Sequence, residues 1–523
     1  MLQGAEALNR PWVKHYDPGV PKTLNYPKGP IYTLLEEAAK IAPGHIAVRI
    51  GDKQITYHEL LEHSLKKGKL FQDLGVKKGD RIALLLPNGI DFVKCFWGVL
   101  MAGGVVVPIN TAFTRAEIET ILEQVKPLLV LTLPEFAQKV PPDYLVVLAT
   151  NEALLSNFKP ADIFPEDDAV IVFTGGTTGR PKGCIFSHEN YIAAIHGQIA
   201  WSYPIGRNTP LEERQALFTL PMTHIFGLTS LGYSVKTVTP MLILPKFDVN
   251  AVVEYLAKEK FSYFPCVPTM LGLILLHPRV LSGEVVVKDS ARNITLGGAP
   301  CSPRLKNLIA KHGLTAYEGW AMTETCSRGI SPPVLGNREL SDKRVPVPEI
   351  DIRIVNPETG AEVAIGQAGE LLVRGPSVMK GYLGNEVENR RSFTKDGWFR
   401  TGDTAKIDES GYVHILGRVK EIILHGGNTI YPQEVDTAIL EFSNKVLDVI
   451  TFGEPDDIYG ENVVSVVRAP DLNVDELKEY LKQRLAPYKI PSRIVVTSEP
   501  LTRTPAGKPL RNLAAEKYGR GAD

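Results

Sequence analysis

The run from Ile171 to Gly183 constrains this chain more than any other part of its sequence. Ile171, Val172 and Phe173 are typical of a buried strand, which leads directly into a loop of Gly, Thr and one Lys. Glycines let backbone N–H groups turn towards an anion, threonine hydroxyls add donors, and Lys182 adds a mobile positive charge. The pattern predicts a nucleotide phosphate site made of Thr174, Gly175, Gly176, Thr177, Thr178, Gly179 and Lys182.

This loop has two other possible interpretations, a Walker A loop and a plain turn. It is not a Walker A loop, because Pro181 lies between Gly179 and Lys182, and Gly183 follows the lysine where that motif has Ser or Thr. A plain turn between strands is the structural alternative, since glycine-rich turns are common. The length and ordered composition of the loop favour phosphate binding.

Composition and charge narrow the classes of function. A chain of 523 residues can bury a large core and is expected to form more than one domain. Its formal charge of −1 excludes a nucleic-acid binder that depends on neutralising phosphates. The five cysteines are scattered and never spaced C-x-x-C, which indicates buried thiols in a reducing compartment rather than disulfides or a zinc site.

Two long uncharged runs, 95–109 and 262–278, are interrupted by Gly or Pro. Both are shorter than the ~18 uninterrupted apolar residues that suggest a membrane span, so they are predicted to be buried core. The first residues include Glu6 and contain no apolar stretch typical of a secretory signal. The expected location is the cytoplasm.

Helix and strand signals alternate through the first third of the chain. Thr56 with Glu59, and Thr114 with Glu117, form capping boxes that begin amphipathic helices. Strand signals at 81–86, 105–109 and 128–133 lie between the helices. This order predicts an α/β domain with a mostly parallel sheet covered by helices.

The pattern changes after Pro332, where short strand signals are separated by Gly, Pro and Asn. We expect a β-rich subdomain at about 333–419 and a compact α+β pattern from Lys420 onward. The predicted division is a large N-terminal domain, 1–419, and a small C-terminal domain, 420–523. No low-complexity linker separates them, so the boundary must be a tight hinge.

Five further segments follow the phosphate loop. The first three are Pro221–Gly227, which contains His224; Leu296–Pro300, which contains Gly297, Gly298 and Ala299; and Tyr317–Glu324, which contains Gly319, Trp320, Ala321 and Thr323. The fourth is made of two neighbouring parts, Trp398–Asp403 and Gly417–Lys420, the second of which contains Arg418, and the fifth is Thr504–Lys508. In this order the chain resembles the acyl-adenylate-forming superfamily: acyl-CoA synthetases, adenylation domains of peptide synthetases and firefly-type luciferases. Its N-terminal segment, Trp12–Val20, is most similar to fatty acyl-CoA synthetases.

The resemblance implies a reaction in which a carboxylate attacks the α-phosphate of ATP and CoA then takes the acyl group. Glu324, with Thr174 as a second candidate, would hold Mg²⁺. Trp320 would stack on adenine, Asp403 would accept the ribose hydroxyls, and Arg418 would donate to ribose or phosphate. Gly298, Ala299, Gly319, Ala321 and Thr323 complete the implied nucleotide site.

Lys508 would be the catalytic lysine that bridges the carboxylate and the α-phosphate, and His224 would lie between the acyl pocket and the phosphates. Each residue has an ordinary structural alternative: a surface cap for Glu324, a core residue for Trp320, a solvated lysine for Lys508 and a satisfied core residue for His224. An Asp or Arg in such loops is usually solvated or paired with the other.

In the superfamily the C-terminal domain swings about a hinge, here at Lys420, and exchanges the lysine loop for a glycine loop, here Gly426 and Gly427. That loop would admit the pantetheine arm of CoA. Residues 481–523 carry nine Lys or Arg against three acids. This excess could attract the CoA phosphates, although a solvated basic face explains most of it.

Three departures from the superfamily pattern stand out. Gly175 replaces the usual Ser or Thr, Trp320-Ala321 replaces Tyr-Gly, and Leu424 stands where luciferases usually have a lysine, which weakens an oxidative function. The small residues Gly297, Gly298 and Ala321, with the apolar run 264–275, favour an aliphatic or aromatic acid, and a medium- or long-chain fatty acid is expected. An aryl acid, a carrier-protein pantetheine as acceptor, a non-catalytic nucleotide sensor and a homodimer stay open.

Overall fold

The computed structural model describes residues 10–155, 157–174, 181–206, 209–335, 343–425, 428–456, 458–504 and 507–519. Helices and strands alternate through the first of these ranges, as the sequence predicts. The elements are α1 (Thr33–Ile41), β1 (Ile46–Ile50), β2 (Lys53–Thr56), α2 (Tyr57–Asp73), β3 (Arg81–Leu85), α3 (Ile90–Met101), β4 (Val105–Pro108), α4 (Arg115–Val125), β5 (Leu129–Thr132), α5 (Pro134–Ala137), β6 (Val146–Leu148), β7 (Asp168–Thr174), β8 (Lys182–Ser187) and α6 (His188–Gly206).

Both capping boxes are confirmed. The Thr56 and Thr114 hydroxyls accept the backbone N–H groups of Glu59 and Glu117, and each glutamate accepts the backbone N–H of its threonine in return. Each box satisfies two backbone donors that the first helical turn leaves free, so α2 and α4 begin at these threonines.

One sheet organises the N-terminal part. Strands β6, β5, β3, β4 and β7 are parallel neighbours in that order, and β8 pairs antiparallel with β7. Thr174 lies opposite Lys182 in the β7–β8 register. The predicted phosphate loop therefore connects two neighbouring strands, whereas a Walker A loop connects a strand to a helix.

A second series of short parallel strands follows. Its elements are β9 (Ala216–Phe218), α7 (Ile225–Lys236), β10 (Met241–Ile243), α8 (Val249–Lys258), β11 (Phe264–Cys266), α9 (Pro268–Leu275), α10 (Pro278–Leu281), α11 (Val287–Ser290), β12 (Ile294–Leu296), α12 (Pro303–Lys311), β13 (Ala316–Glu318), β14 (Trp320–Ala321) and β15 (Gly329–Ser331). Strands β9 and β10 extend the sheet of β1 and β2, and β11, β12 and β13 form a parallel sheet. Because parallel strands end at one edge, the segments after Cys266, Leu296 and Glu318 meet there.

The region after Pro332 is rich in strands, as predicted. It contains β16 (Val345–Pro346), β17 (Asp351–Val355), β18 (Gly369–Arg374), β19 (Gly381–Tyr382), α13 (Glu386–Ser392), β20 (Phe399–Ile407) and β21 (Val413–Arg418). Strands β17, β18, β20 and β21 form an antiparallel sheet. Strand β19 instead joins the edge of the large sheet beside β8, so this region is anchored to the strand that follows the phosphate loop.

The C-terminal part is α+β. It contains β22 (Ile423–His425), β23 (Asn428–Ile430), α14 (Pro432–Phe442), β24 (Asp448–Asp456), β25 (Gly460–Arg468), α15 (Val474–Lys482), β26 (Arg493–Thr497) and α16 (Arg511–Tyr518). Short 3₁₀ turns lie at Pro11–His15, Leu211–Glu213, Thr323–Thr325, Val419–Glu421 and Pro487–Lys489. The helices pack on the sheet around apolar residues that include Val435, Val449 and Leu477.

Arg511 ties the turn Val419–Glu421 to this C-terminal part. Its Nε lies 3.0 Å from Glu421 Oε2, its Nη2 lies 2.8 Å from Asp436 Oδ2, and its Nη1 donates to the Thr451 carbonyl at 2.6 Å. The turn contains Lys420, which is exposed. The division into 1–419 and 420–523 stays a prediction.

The N-terminal segment packs against the β-rich region. Asp17 accepts the backbone N–H groups of Val334 and Leu335, and Arg10 forms an ion pair with Asp351. Trp12 is buried in the main core. All five cysteines are buried and unbridged, as expected. Across the described ranges, the helices are too short or too polar to cross a bilayer.

Gly98 tests the close packing of α2 and α3. A Cβ at Gly98 would lie 2.4 Å from Lys67 Cβ and 3.0 Å from the Ser64 carbonyl oxygen. Neither atom can rotate away, so the free-energy cost of the clash should be larger than the gain of about 1 kcal/mol in helix propensity when alanine replaces glycine. We expect Gly98→Ala to lower the free energy of unfolding by about 1–3 kcal/mol in urea titrations.

Gly44→Ala is the matched control, because nothing lies within 4 Å of its Cβ position. Equal stability of Gly98→Ala and Gly44→Ala would contradict the described packing of the two helices.

Candidate active site

The predicted site residues converge where three parts of the fold meet. These are the end of the β7–β8 pair at Thr174 and Lys182, the edge where β11, β12 and β13 end, and the β20–β21 ladder. The loop before α16 reaches the same place from the C-terminal part, since a Cβ at Gly507 would lie 3.0 Å from Thr269 Oγ1. Residues far apart in sequence thus line one cleft.

Asp403 lies at the centre of this cleft and is only 7% exposed. Its Oδ1 lies 2.8 Å from Arg418 Nε, and its Oδ2 accepts the Trp320 indole N–H at 2.8 Å. The β20–β21 register places Asp403 directly opposite Arg418. Burial raises the pKa of Asp403, and this effect exceeds the opposing effects of Arg418 and Trp320. The carboxylate is therefore held in a fixed orientation.

Trp320 is half-buried rather than a full core residue. Its ring lies over Gly329, where a Cβ would come within 2.9 Å of Trp320 Cε3. Ala321 pairs with the same glycine across the β14–β15 ladder. Since the indole N–H is fixed by Asp403, the orientation of the ring is linked to that of the carboxylate.

The glycine turn after β12 lies beside Gly319. The Gly319 N–H donates to the Leu296 carbonyl at 3.1 Å, and Gly298 has a φ of +83°, which only glycine adopts readily. A Cβ at Gly297 would lie 3.2 Å from the Phe226 ring. Ala299, next in the turn, is partly buried. The turn therefore lies beside Gly319 and Phe226, and its contact with the adenine base stays a prediction.

Glu324 is buried and accepts a hydrogen bond from the Tyr382 hydroxyl at 2.9 Å. It belongs to the turn Thr323–Thr325, so Thr323 is its direct neighbour. No cation lies within 4 Å of its carboxylate among the described residues. The surface cap or ion pair weighed as its alternative is therefore absent from the described parts of the chain.

Lys182 and Thr174 flank the phosphate loop. The Lys182 ammonium lies 2.5 Å from Glu388 Oε1 and 5.1 Å from the centre of the Tyr382 ring. Thr174 is partly buried at the end of β7. Gly175, Gly176, Thr177, Thr178 and Gly179 lie outside the described residues, as do Gly426 and Gly427.

The Lys508 side chain is exposed to solvent, and burial of its ammonium and the charged groups around it shift its pKa. Burial lowers its pKa, and the nearby Arg418 lowers it further, while Asp403, Glu324 and Glu421 raise it. Its ammonium has no ion pair within 4 Å in the described part of the chain. A Cβ at the neighbouring Gly507 would lie 3.0 Å from Thr269 Oγ1 and 3.8 Å from Ala299 Cβ, so Lys508 lies next to the glycine turn, which argues against a lysine on a remote solvated surface.

His224 precedes α7 and points into accessible space. Its ring makes no hydrogen bond with any residue that the structure describes, and limited hydration lowers its pKa. It is therefore not the satisfied core histidine weighed as its alternative. A neutral ring with free nitrogens lies next to Phe226, which covers Gly297.

The basic excess of the tail is mostly neutralised within the C-terminal part. Seven of its cations form ion pairs there: Lys482 with Glu479, Arg484 with Glu441, Lys489 with Glu434, Arg493 with Glu454, Arg503 with Asp448, Arg511 with Asp436, and Lys517 with Glu499. This supports the interpretation of a solvated basic face.

Sequence reasoning missed three residues at the site: Tyr382, Glu388 and Arg328. Tyr382 and Glu388 come from β19 and α13, and no local pattern links them to Glu324 or Lys182. Arg328 had a usable signal, since it is the one basic residue in the otherwise uncharged run 325–337.

Comparison with known proteins identifies two matching family models. The model described as "AMP-binding enzyme" matches residues 35–383, and the one described as "AMP-binding enzyme C-terminal domain" matches residues 434–508. Together they span the large sheets, the glycine turn, Glu324 and the lysine loop.

Curated relatives match along nearly the whole chain. A long-chain-fatty-acid–CoA ligase of Bacillus subtilis (strain 168) is 31% identical, over 97% of this chain and 98% of its own. A feruloyl-CoA synthase of an Amycolatopsis species is also 31% identical, over 92% of this chain and 97% of its own. The acids in these two names differ in class.

Solved structures have the same fold. ATP-bound MatB from Rhodopseudomonas palustris superposes with a TM-score of 0.83 at 27% identity, over 94% of this chain and 100% of its own. O-succinylbenzoate coenzyme A synthetase from Bacillus subtilis, in complex with ATP and magnesium ion, has a TM-score of 0.78 at 27% identity, over 92% and 98%.

The Asp403–Arg418 pair gives a pH-dependent prediction of stability. Arg418→Met removes one hydrogen-bond donor from the buried carboxylate of Asp403 and should lower the free energy of unfolding by about 1.5–3 kcal/mol. A larger loss is not expected, because the Arg418 side chain is 36% exposed. Without Arg418 the pKa of Asp403 rises further. A carboxyl whose pKa is higher in the folded than in the unfolded chain loses stability as pH rises between the two values.

The loss in Arg418→Met should therefore be larger at pH 8 than at pH 5 in urea unfolding. The double variant Asp403→Asn, Arg418→Met removes the charge that causes the loss and should regain most of the stability at pH 8. An equal loss at both pH values would contradict the ionised, buried state of Asp403.

Proposed function

The chain belongs to the AMP-binding enzyme family, and on that premise we propose that it joins a carboxylic acid to CoA through an acyl-adenylate, with AMP and pyrophosphate as products. The observation that carries the proposal is the position of Lys508. This lysine comes from the C-terminal part and lies within electrostatic reach of Asp403 and Glu324. A protein that only bound a nucleotide would not need a second part of the chain to deliver an ammonium there.

In the first half-reaction a carboxylate must attack the α-phosphate of ATP. Two anions approach each other, so positive charge has to be arranged around them in advance. We assign Lys508 to bridge the carboxylate and the α-phosphate, and Lys182 to the β- and γ-phosphates after it leaves Glu388. His224, neutral and unbonded within the described residues, is assigned to the boundary between the acid and the phosphates.

Asp403 and Trp320 are assigned to the nucleoside. A carboxylate with both oxygens already oriented by Arg418 and Trp320 still has lone pairs for the two ribose hydroxyls. Trp320 offers its face to adenine, and the turn Gly297–Gly298–Ala299, with Gly319, Ala321 and Thr323, lines the base. Because these groups hold each other, they need little rearrangement on binding.

Magnesium fits the site through Glu324. Its carboxylate is a hard oxygen ligand without a competing cation in the described part of the chain, and Tyr382 orients it. The described residues hold no cluster of three or more metal-binding side chains. Mg²⁺ usually takes most of its ligands from phosphate and water and only one or two from the protein. Thr174 is the second protein candidate. The ion would neutralise charge on the phosphates.

The second half-reaction requires a thiol to reach the adenylate. We propose that the C-terminal domain, 420–523, rotates about Lys420 relative to the large domain, 1–419 with its β-rich subdomain at about 333–419. Gly426 and Gly427 would then replace the lysine loop and admit the pantetheine of CoA. The pairing of the basic tail with local acids removes the support for its attracting CoA phosphates.

The identity of the acid substrate is the more specific part of the proposal. The fatty-acid ligase supports the medium- or long-chain fatty acid expected from the sequence, and the feruloyl-CoA synthase supports an aryl acid. An acceptor on a carrier protein is the remaining alternative for the thiol. Release of pyrophosphate measured over graded fatty acids, benzoate and coumarate, with free CoA as acceptor, tests all of these.

Lys508→Ala separates the two half-reactions. Loss of one preorganised electrostatic contact typically costs 10²–10³-fold in rate, so acid-dependent pyrophosphate exchange should fall by about that factor. Conversion of a presynthesised acyl-adenylate to thioester should continue. Lys517→Ala is the control, since Lys517 forms an exposed ion pair with Glu499 in the same part of the chain. Equal loss of both half-reactions would refute the assignment.

The lowered pKa of Lys508 predicts an alkaline limit for adenylation. The ammonium must be charged, so the rate should decline as pH rises through a pKa below the ordinary lysine value of 10.5. Glu421 raises that pKa, and Glu421→Gln should therefore move the decline to lower pH. The thioester half-reaction serves as the internal control. A decline that Glu421→Gln leaves unmoved would contradict the assignment of the titrating group to Lys508.

A further inference from the structure

Arg328 is a charged residue that neither the fold nor the adenylation chemistry uses. It follows the turn Thr323–Thr325, four residues after Glu324, and its backbone N–H donates to the Thr325 carbonyl. Its Nε and Nη2 are shut off from solvent and bond to nothing in the described residues. Burial lowers the pKa of its guanidinium to about 10. The described parts of the chain provide no carboxylate partner for it.

The surroundings of Arg328 are polar and well ordered. Its Nε lies 3.6 Å from the position of a Cβ on Gly197, so the guanidinium passes beside α6 where that helix has no side chain. The Tyr263 hydroxyl interacts with it electrostatically, accepts from Gln198 Nε2 at 2.9 Å and lies 3.1 Å from Ser230 Oγ. We call Gln198, Ser230, Tyr263 and Arg328 the polar cluster.

A buried guanidinium without a partner is costly. Buried charges in proteins are almost always paired, and breaking such a pair by removing its partner costs several kcal/mol. The fold gains nothing from these two nitrogens that offsets this cost, because Nε and Nη2 make no hydrogen bond with any described residue, although the side chain as a whole is only partly buried. An anion that binds there would satisfy it. A planar guanidinium fits a carboxylate with two parallel hydrogen bonds.

The polar cluster lies on elements that also reach the reaction centre. Ser230 is six residues beyond His224 on α7, a rise of about 9 Å along the helix axis at 1.5 Å per residue. Tyr263 lies just before β11, while Val267 just after β11 lies 3.5 Å from a Cβ position on Gly298 in the glycine turn. Helix α7 and strand β11 therefore each connect the polar cluster to the predicted reaction centre.

We propose that Arg328 binds a second carboxylate on the acid substrate, so that the enzyme activates a dicarboxylic acid at the carboxyl group remote from Arg328. The inference rests on the proposed function and names its substrate class. It competes with the fatty acid expected from the sequence, because an apolar chain end would leave the guanidinium unpaired. Tyr263 and Gln198 position the site by fixing its walls.

The experiment measures kcat/KM for AMP formation in the full-length enzyme with matched pairs of acids. Each pair joins a straight-chain diacid of four to ten carbons with the monoacid of equal length, and one aromatic pair joins 4-carboxycinnamate with cinnamate. In the best pair we expect the wild-type enzyme to prefer the diacid by at least about tenfold, the least that a hydrogen bond to a charged group contributes.

Arg328→Met should reverse that preference by lowering kcat/KM for the diacid at least about tenfold and raising it for the monoacid. Arg328→Lys keeps the charge without the fork and should retain part of the diacid activity. Arg115→Met, at an exposed arginine on α4, is the matched control and should change neither value. The ratio of kcat/KM for the diacid to kcat/KM for the monoacid does not depend on how much of a variant folds, because both values are measured on the same folded fraction.

The outcomes are distinguishable. A wild-type enzyme that prefers the monoacid in every pair overturns the assignment of Arg328, whatever the variants do, and leaves the ligase activity in place. An enzyme that forms no AMP with any acid refutes the proposed function instead. If Arg328→Met fails to fold, the wild-type preference and Arg328→Lys decide the question.

Discussion

The site depends on one buried carboxylate. Asp403 is taken out of water by the β20–β21 ladder, which raises its pKa, and two donors from different elements keep its oxygens in place. Arg418 stands opposite it in the ladder, and Trp320 reaches it from β14. A buried charge is tolerated only when it is hydrogen-bonded or paired, so these three residues fix the position of β14 relative to the β20–β21 ladder.

That relation extends to the C-terminal part. Arg418 is followed directly by the turn Val419–Glu421, and Glu421 is bound by Arg511 at the start of α16. The lysine loop lies just before that helix. The same short stretch of chain therefore connects the Asp403–Arg418 pair, the proposed hinge and the loop of Lys508. A rotation about Lys420 would move Lys508 and leave Asp403 and Arg418 where they are.

Much of this could be predicted from the sequence, because the signals are local. Capping boxes determined where α2 and α4 begin, and the alternation of elements indicated the parallel sheet. The order of the motifs predicted that Glu324, Asp403, Arg418 and Lys508 belong to one site, and the structure places Asp403 directly opposite Arg418.

The parts that could not be predicted are tertiary. Tyr382 orients Glu324 because β19 joins the edge of the large sheet beside β8, which no nearby sequence pattern indicates. Glu388 holds Lys182 for the same reason. The apolar run 264–275 suggested an apolar acid pocket, yet the residue just before it, Tyr263, carries a hydroxyl at the centre of the polar cluster. A buried run of apolar residues can therefore lie directly beside a cluster of polar side chains.

The charges of the site divide into two kinds, and the division explains its chemistry. Asp403 and Arg418 satisfy each other, as do Lys182 and Glu388, and these pairs orient the cleft. Glu324, Lys508 and Arg328 have no counter-ion within the described residues, although burial disfavours the charged forms of Lys508 and Arg328. A fold keeps unpaired charges in a cleft only at a cost in stability, and a ligand that supplies the missing partner recovers that cost as affinity. Glu324 would bind a cation, Lys508 would bind anions at the reacting centre, and Arg328 would bind a further anion beside the polar cluster. A metal–nucleotide and an acid with two carboxyl groups would together satisfy all three.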